Sequence, residues 1–334
     1  MMETLTRTTL LRRHLLDLDD WTPDELRSLL DDTAGMREHL DQGERLSTLA
    51  GRVLVTLFYE NSTRTRVSFE LAAKKLGADV VNVAASASSV TKGESLRDTV
   101  RTLQALGANI IVVRSSESGA PDLIARAIDG AVVNAGDGWH AHPSQALLDL
   151  FTLERHLGSV AGRRIVILGD ILHSRVARSN VWSLTAMGAE VVLCGPATLL
   201  PPAAADLYAA RPVPGTNEPR QVIVEPDVTR ALAGADAVMA LRIQKERMQA
   251  GLLPSLREYA RTYGLNRERL ALAKPGALVM HPGPMNEGVE IAADVAAGPN
   301  SVIEEQVANG VATRMAILTR LAGVLARREA EWRR

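Results

Sequence analysis

The chain has 334 residues, with 38 Lys+Arg against 39 Asp+Glu and a formal net charge of −1 at pH 7. That length predicts two domains at about 150 residues each, and 46% hydrophobic residues describe a soluble globular chain rather than a disordered or membrane-embedded one. A balanced charge lacks the basic excess that a nucleic-acid backbone demands, 3% aromatics leave little to stack on bases, and the single cysteine, Cys194, excludes an internal disulfide and a cysteine-based zinc site.

Taken in chain order, Arg12 and Arg13 precede His14, two leucines and an acidic stretch, not the apolar core of a secretory signal. No run reaches the ~20 apolar residues that cross a bilayer. A cytoplasmic protein without a membrane or nucleic-acid partner is therefore expected. RVLVTLFY (52–59) predicts a buried strand, 65–76 a helix, 79–83 a short strand, 95–106 a helix and NIIVVR (109–114) another strand. A strand over 131–134 and a turn at Ala135-Gly136-Asp137-Gly138 follow, then a helix over 144–156 stopped by Gly158. RIVIL (164–168) opens a second set, continued by EVVLC (190–194), QVIVE (221–225) and strands at 237–240 and 277–280. The Pro-rich stretch 212–219 predicts a surface loop, and the last ~35 residues a helix with a charged end. Strand and helix in alternation predict α/β architecture, here two doubly wound parallel-sheet domains.

The richest chemistry lies in Asn61-Ser62-Thr63-Arg64-Thr65-Arg66, between a strand and a helix. Ligands of open α/β sheets bind beyond the carboxyl ends of strands, and a helix N-terminus offers unpaired N–H groups to an anion. Three hydroxyls and two guanidiniums there could surround a phosphate with charge-assisted hydrogen bonds. A capping hydroxyl with solvated arginines is the plainer alternative. G-x-x-x-x-G-K-[ST] is missing, and Gly169-Asp170-Ile171-Leu172-His173-Ser174 lacks the dinucleotide glycines, so a small phosphorylated metabolite fits better than a nucleotide. Further candidates are Ser88 and Lys92 in a polar loop, Arg114 at a strand end, His142 and Gln145 opening a helix, Arg175, Arg242 and Gln244 after strands, and His281-Pro282-Gly283-Pro284 after the last strand. His140 and His142 have no partner set for a metal, and Cys194 ends an apolar run, as an inert core residue would.

FYENSTRTRVSFE (58–70), Lys92-Gly93-Glu94, NAGDGWHAHPSQALLD (134–149) and LRIQKER (241–247) resemble the aspartate and ornithine carbamoyltransferase family, in order and over nearly the whole chain. The resemblance implies two such α/β domains joined by interdomain helices. Residues 1–143 with a C-terminal helix of about 301–334 would bind carbamoyl phosphate, and 144–300 would bind aspartate. It implies that Ser62, Thr63, Arg64 and Thr65 hold the phosphate, that Thr65, Arg114 and His142 contact the carbonyl oxygen, and that Gln145 lies near the carbamoyl NH2. Arg175, Arg242 and Gln244 would meet the carboxylates of L-aspartate, with Gly283 and Pro284 offering backbone contacts. Ser88 and Lys92 would reach a neighbouring subunit's site, which implies a homotrimer with shared sites. A regulatory chain or another enzyme of pyrimidine biosynthesis stands as a further partner; no cofactor or metal is implied. Arg242-x-Gln244 with His281-Pro-Gly-Pro looks like the aspartate branch, since the ornithine branch typically carries His-Cys-Leu-Pro there. Transfer to ornithine, or anion binding without turnover, are the alternatives. The chain departs from some relatives at Gly283, where they have leucine, and at Met285-Asn286-Glu287, where they are more basic.

Overall fold

The structure is a computed structural model, and it describes residues 12–84, 95–243, 252–253 and 255–332. The chain divides into two compact units. One comprises Met1–Asp17, Asp24–Gly138 and Val311–Arg334, the other Leu18–Pro23 and Trp139–Gly310.

In the first unit, helix α1 (Pro23–Asp41) precedes β1 (Val53–Phe58), α2 (Thr63–Lys75), β2 (Asp79–Ala84), α3 (Leu96–Ala105), β3 (Ala108–Ser115), α4 (Ala120–Ala125) and β4 (Ala131–Asp137). Its described strands form a parallel sheet in the order β2-β1-β3-β4. Helices cover both faces of such a sheet, so its strands are continuous apolar runs instead of alternating ones. VLVTLF of β1 is buried from its second residue onward. Val55, Leu57, Ile111, Val113 and Val132 pack with Val100 of α3 and Ile124 of α4 into one cluster. Helix α1 has no counterpart among the expected elements, although Pro23 with Asp24 and Glu25 in the first turn, then buried Leu26, Leu29 and Leu30, are ordinary helix signals.

The second unit contains α5 (Pro143–Leu157), β5 (Arg164–Leu168), α6 (Arg175–Ala186), β6 (Glu190–Cys194), α7 (Ala204–Ala209), β7 (Val222–Val224), α8 (Val228–Leu232), β8 (Ala237–Ala240), α9 (Leu256–Tyr263), α10 (Arg267–Leu270), β9 (Leu278–Met280) and α11 (Ala293–Ala296). Helix α12 (Ile303–Trp332) contributes residues to both units. The described strands make a parallel sheet in the order β7-β6-β5-β8-β9. Val166, Val192, Val238 and Val279 centre its core. Cys194 is fully buried there, and burial with Glu225 and Asp227 nearby pushes its thiol up to about 12, so it stays protonated and inert.

One expected turn is a strand. Ala135, Gly136 and Asp137 extend β4 because local bonds override their turn propensity: Gly136 N–H donates to Asn134 Oδ1 at 2.8 Å, and Asp137 Oδ2 accepts Gly119 N–H at 2.7 Å. Asn134, Asp137 and their neighbours are buried. No helix among the described residues is long and apolar enough to cross a membrane.

Candidate active site

Each sheet has one place where the order reverses, and ligands of doubly wound folds bind beyond the carboxyl ends of the strands that flank it. In the first unit those strands are β1 and β3. The β1 end leads into Ser62 and α2, while β3 carries Arg114 paired in register with Phe58. Ser62 is the N-cap of α2 in extended conformation, yet its side chain makes no capping bond. The capping alternative therefore does not account for its hydroxyl. Thr63 and Arg64 are exposed and Thr65 is buried in the first turn, which holds no acidic residue. An arginine so near a helix N-terminus opposes the macrodipole, an arrangement that an anion relieves.

Arg114 is nearly enclosed, its side chain 11% exposed. Its Nη2 donates to Glu60 Oε1 at 2.8 Å and its Nη1 to the Ala135 carbonyl at 3.1 Å. Tyr59 N–H donates to the Arg114 carbonyl at 2.9 Å, tying the β1–α2 loop to the end of β3. These bonds fix the guanidinium at the same sheet edge as the Ser62–Thr65 turn. Ser88 and Lys92 lie outside the described residues.

In the second unit the reversal lies between β5 and β8. Leu241 N–H donates to the Leu168 carbonyl at 2.8 Å, and Gly169 sits where a Cβ would come within 3.0 Å of Leu241 Cβ, at a φ of +139 that disfavours any side chain. The close approach brings the β5–α6 loop against the residues after β8. Asp170 shapes that loop, accepting His173 N–H at 3.1 Å and facing His173 Nδ1 at 2.9 Å, and the Trp139 ring meets His173 edge-on. Ser174 caps α6 by accepting Ala177 N–H. Arg175 follows as the first residue of the helix, buried to 3% exposure, in a first turn without an acid. The N-terminus of α6 carries the positive end of the helix dipole, where an anion is favoured. Arg242, half-buried, follows β8, and Gln244 lies outside the described residues.

His142 is the buried N-cap of α5, its N–H donating to Ser179 Oγ at 2.9 Å, and Gln145 stands in the first turn with its Nε2 on Asp149 Oδ1 at 2.9 Å. The turn after β9 is held from within. His281 Nδ1 accepts Gly283 N–H at 2.8 Å, which puts the ring proton on Nε2, 3.3 Å from Glu290 Oε1; the same oxygen accepts Asn286 N–H at 2.6 Å. Gly283 has φ +65 and is joined to exposed Pro284 by a cis peptide bond. A leucine at 283 would sit in the left-handed region, so this turn is shaped for glycine.

Residues 13–155 match the family model described as "Aspartate/ornithine carbamoyltransferase, carbamoyl-P binding domain", and residues 161–321 match "Aspartate/ornithine carbamoyltransferase, Asp/Orn binding domain". The chain belongs to the aspartate/ornithine carbamoyltransferase family. Within it, the chain is 58% identical over 313 residues to the aspartate carbamoyltransferase catalytic subunit of Chloroflexus aggregans, covering 93% of this chain and 99% of that one. It is 56% identical over 313 residues to the catalytic subunit of Roseiflexus castenholzii, covering 93% and 96%. A crystal structure of aspartate transcarbamoylase from Trypanosoma cruzi with N-(phosphonacetyl)-L-aspartic acid superposes with a TM-score of 0.81 at 31% identity, over 92% of this chain and 95% of that one. Ornithine carbamoyltransferase from Pyrococcus furiosus superposes at 0.86 with 27% identity, over 95% and 99%. Backbone similarity thus spans both branches of the carbamoyltransferases, while the higher identities quoted are to aspartate enzymes.

Two contributors escape a sequence search. Glu60 and Asp149 fall inside the segments 58–70 and 134–149, but nothing local gives either a role, and only the register of β1 on β3 and the first two turns of α5 reveal what they hold.

Proposed function

We propose that this carbamoyltransferase moves the carbamoyl group of carbamoyl phosphate to the α-amine of L-aspartate, giving N-carbamoyl-L-aspartate and phosphate, an early step of pyrimidine biosynthesis. The observation that carries this reading is an arginine in the acid-free first turn of a helix at each sheet's reversal point, Arg64 in α2 and Arg175 in α6. Ornithine would bring a second amine, for which such a cation is the wrong partner; aspartate brings two carboxylates. Ser62, Thr63, Arg64 and Thr65 hold the phosphate. Thr65, Arg114 and His142 donate to the carbamoyl oxygen, and Gln145 accepts from the carbamoyl NH2. Arg175, Arg242 and Gln244 take the carboxylates, with Gly283 and Pro284 supplying backbone contacts. Residues 1–143 with 301–334 serve as the carbamoyl phosphate domain and 144–300 as the aspartate domain.

In the reaction, the uncharged amine of aspartate attacks the carbonyl carbon. A C–N bond forms, the carbonyl electrons move onto oxygen, and collapse of the tetrahedral intermediate breaks the C–O bond to phosphate, which carries away the amine proton. Phosphate is a good leaving group, so holding two substrates in line and stabilising the oxyanion with fixed donors suffices. The side chains named supply both without a covalent intermediate.

The active assembly is a homotrimer in the cytoplasm, with Ser88 and Lys92 completing a neighbour's site; Lys92 would then also act in catalysis. In support, Val67 and Leu71, one turn apart on α2, and Val81 on the edge strand β2 are more than 40% exposed, apolar surface that a second copy would cover. A bisubstrate analogue joining a phosphonate to aspartate tests the site. A saturating analogue is expected to raise Tm by several degrees, as binding to the native state alone requires. An unchanged Tm would overturn the assignment.

A further inference from the structure

Helices α5 and α12 face each other within the second unit through a row of buried polar side chains. Asp149 of α5 is fully buried and collects three side-chain amides: Gln145 Nε2 at 2.9 Å and Gln306 Nε2 at 2.7 Å on Oδ1, and Asn180 Nδ2 at 2.9 Å on Oδ2. One turn further on, Asn309 Nδ2 donates to Thr152 Oγ1 at 3.0 Å. Gln306 reaches on from Asp149, its Oε1 accepting the His281 backbone N–H at 3.0 Å.

The orientations of these amides follow from chemistry. A carboxylate only accepts and a backbone N–H only donates. Gln306 must therefore turn its NH2 to Asp149 and its oxygen to His281. Gln145 must likewise turn its NH2 to Asp149, which points its oxygen the other way. No described residue donates to that oxygen. A glutamine that is to accept from a carbamoyl NH2 has to present oxygen, and a free amide presents either end.

We propose that Asp149 is a positioning residue for carbamoyl transfer: it fixes Gln145 with its carbonyl oxygen toward the carbamoyl NH2 and, through Gln306, anchors the backbone of the His281–Pro284 turn. This rests on the carbamoyltransferase reading above. Asp149 touches no substrate in this scheme and acts through the two glutamines.

The experiment is a double-mutant cycle on the full-length enzyme, using Asp149→Leu, Gln145→Ala and the double variant, with kcat and KM for carbamoyl phosphate at saturating aspartate and Tm for each. Asp149→Leu removes both acceptor oxygens at nearly the same volume, so Gln145 loses its fixed orientation; kcat is expected to fall by about 10²-fold, the scale on which misplaced groups cost rate. KM should change little, because the phosphate contacts of Ser62–Thr65 are untouched. In the Gln145→Ala background, Asp149→Leu is expected to cost no more than about twofold further, since coupled residues are not additive. Thr152→Val, which removes the neighbouring α5–α12 bond, should lower Tm and leave kcat unchanged. Should Asp149→Leu fail to accumulate as folded protein, Asp149→Ala takes its place in the cycle, because it too removes both acceptor oxygens and adds no bulk. Full additivity of either variant with Gln145→Ala, or an unchanged kcat, would overturn the inference while leaving the function intact. A wild-type chain unable to turn over carbamoyl phosphate with any amine would overturn both.

Discussion

Arg175 combines three features that a structural arginine rarely shares: near-complete burial, a position in the first turn of a helix, and a place at the reversal point of a sheet. Removing it should therefore touch the amine substrate selectively. Arg175→Ala is expected to raise KM for aspartate by about 10- to 100-fold, equivalent to the ~1.5–3 kcal/mol of a hydrogen bond to a charged group. Calorimetry should find carbamoyl phosphate binding unaltered; an equal loss for both substrates would count against this assignment. Gly283 is the other decisive residue. At φ +65, Gly283→Leu should destabilise the chain by about 1–2 kcal/mol in urea denaturation, and an unchanged midpoint would mean that the turn adopts another backbone. The arginines were legible in the sequence because their residue type and their places after strands are both local. Their partners were not: Glu60 meets Arg114 only because β1 and β3 are adjacent and in register, which no local pattern encodes.

At the scale of elements, the buried strands were legible to within a residue or two, since runs such as VLVTLF and RIVIL have no competing period. Helix α1 and the extension of β4 through Asp137 were not, the second because side-chain bonds rather than propensity decide it. The N-terminal segment beside β4 makes a pH prediction. Leu15 bridges to Val133, and Val132 N–H donates to His14 Nδ1 at 3.1 Å. Burial, then the guanidiniums of Arg13 and Arg328, lower the His14 pKa from 6.5 to about 4. The folded state thus prefers the neutral ring, and its stabilisation is complete above the unfolded value near 6.5. It is lost progressively as pH falls toward 4, where the unfolded chain binds a proton that the folded chain refuses. Tm should decline across that window, and His14→Gln should flatten the decline; an identical slope in both proteins would place the transition elsewhere.

For the whole molecule, the net charge of −1 conceals a segregation: Arg64, Arg114, Arg175 and Arg242 stand at or beside the carboxyl ends of strands that flank the two reversal points. A protein neutral overall can still present two anion sites, one for each substrate. The proposed sharing of sites in a trimer has its own consequence. Arg64→Ala and Lys92→Ala chains, each inactive alone, should regain activity after subunit exchange through sites that draw intact residues from both; no recovery despite confirmed exchange would refute sharing. The central claim, carbamoyl transfer to aspartate, meets its most direct test in one assay of the purified chain with carbamoyl phosphate and either L-aspartate or L-ornithine, following the carbamoylated product. Product with aspartate and none with ornithine is expected; product with ornithine instead, or with neither, would contradict it.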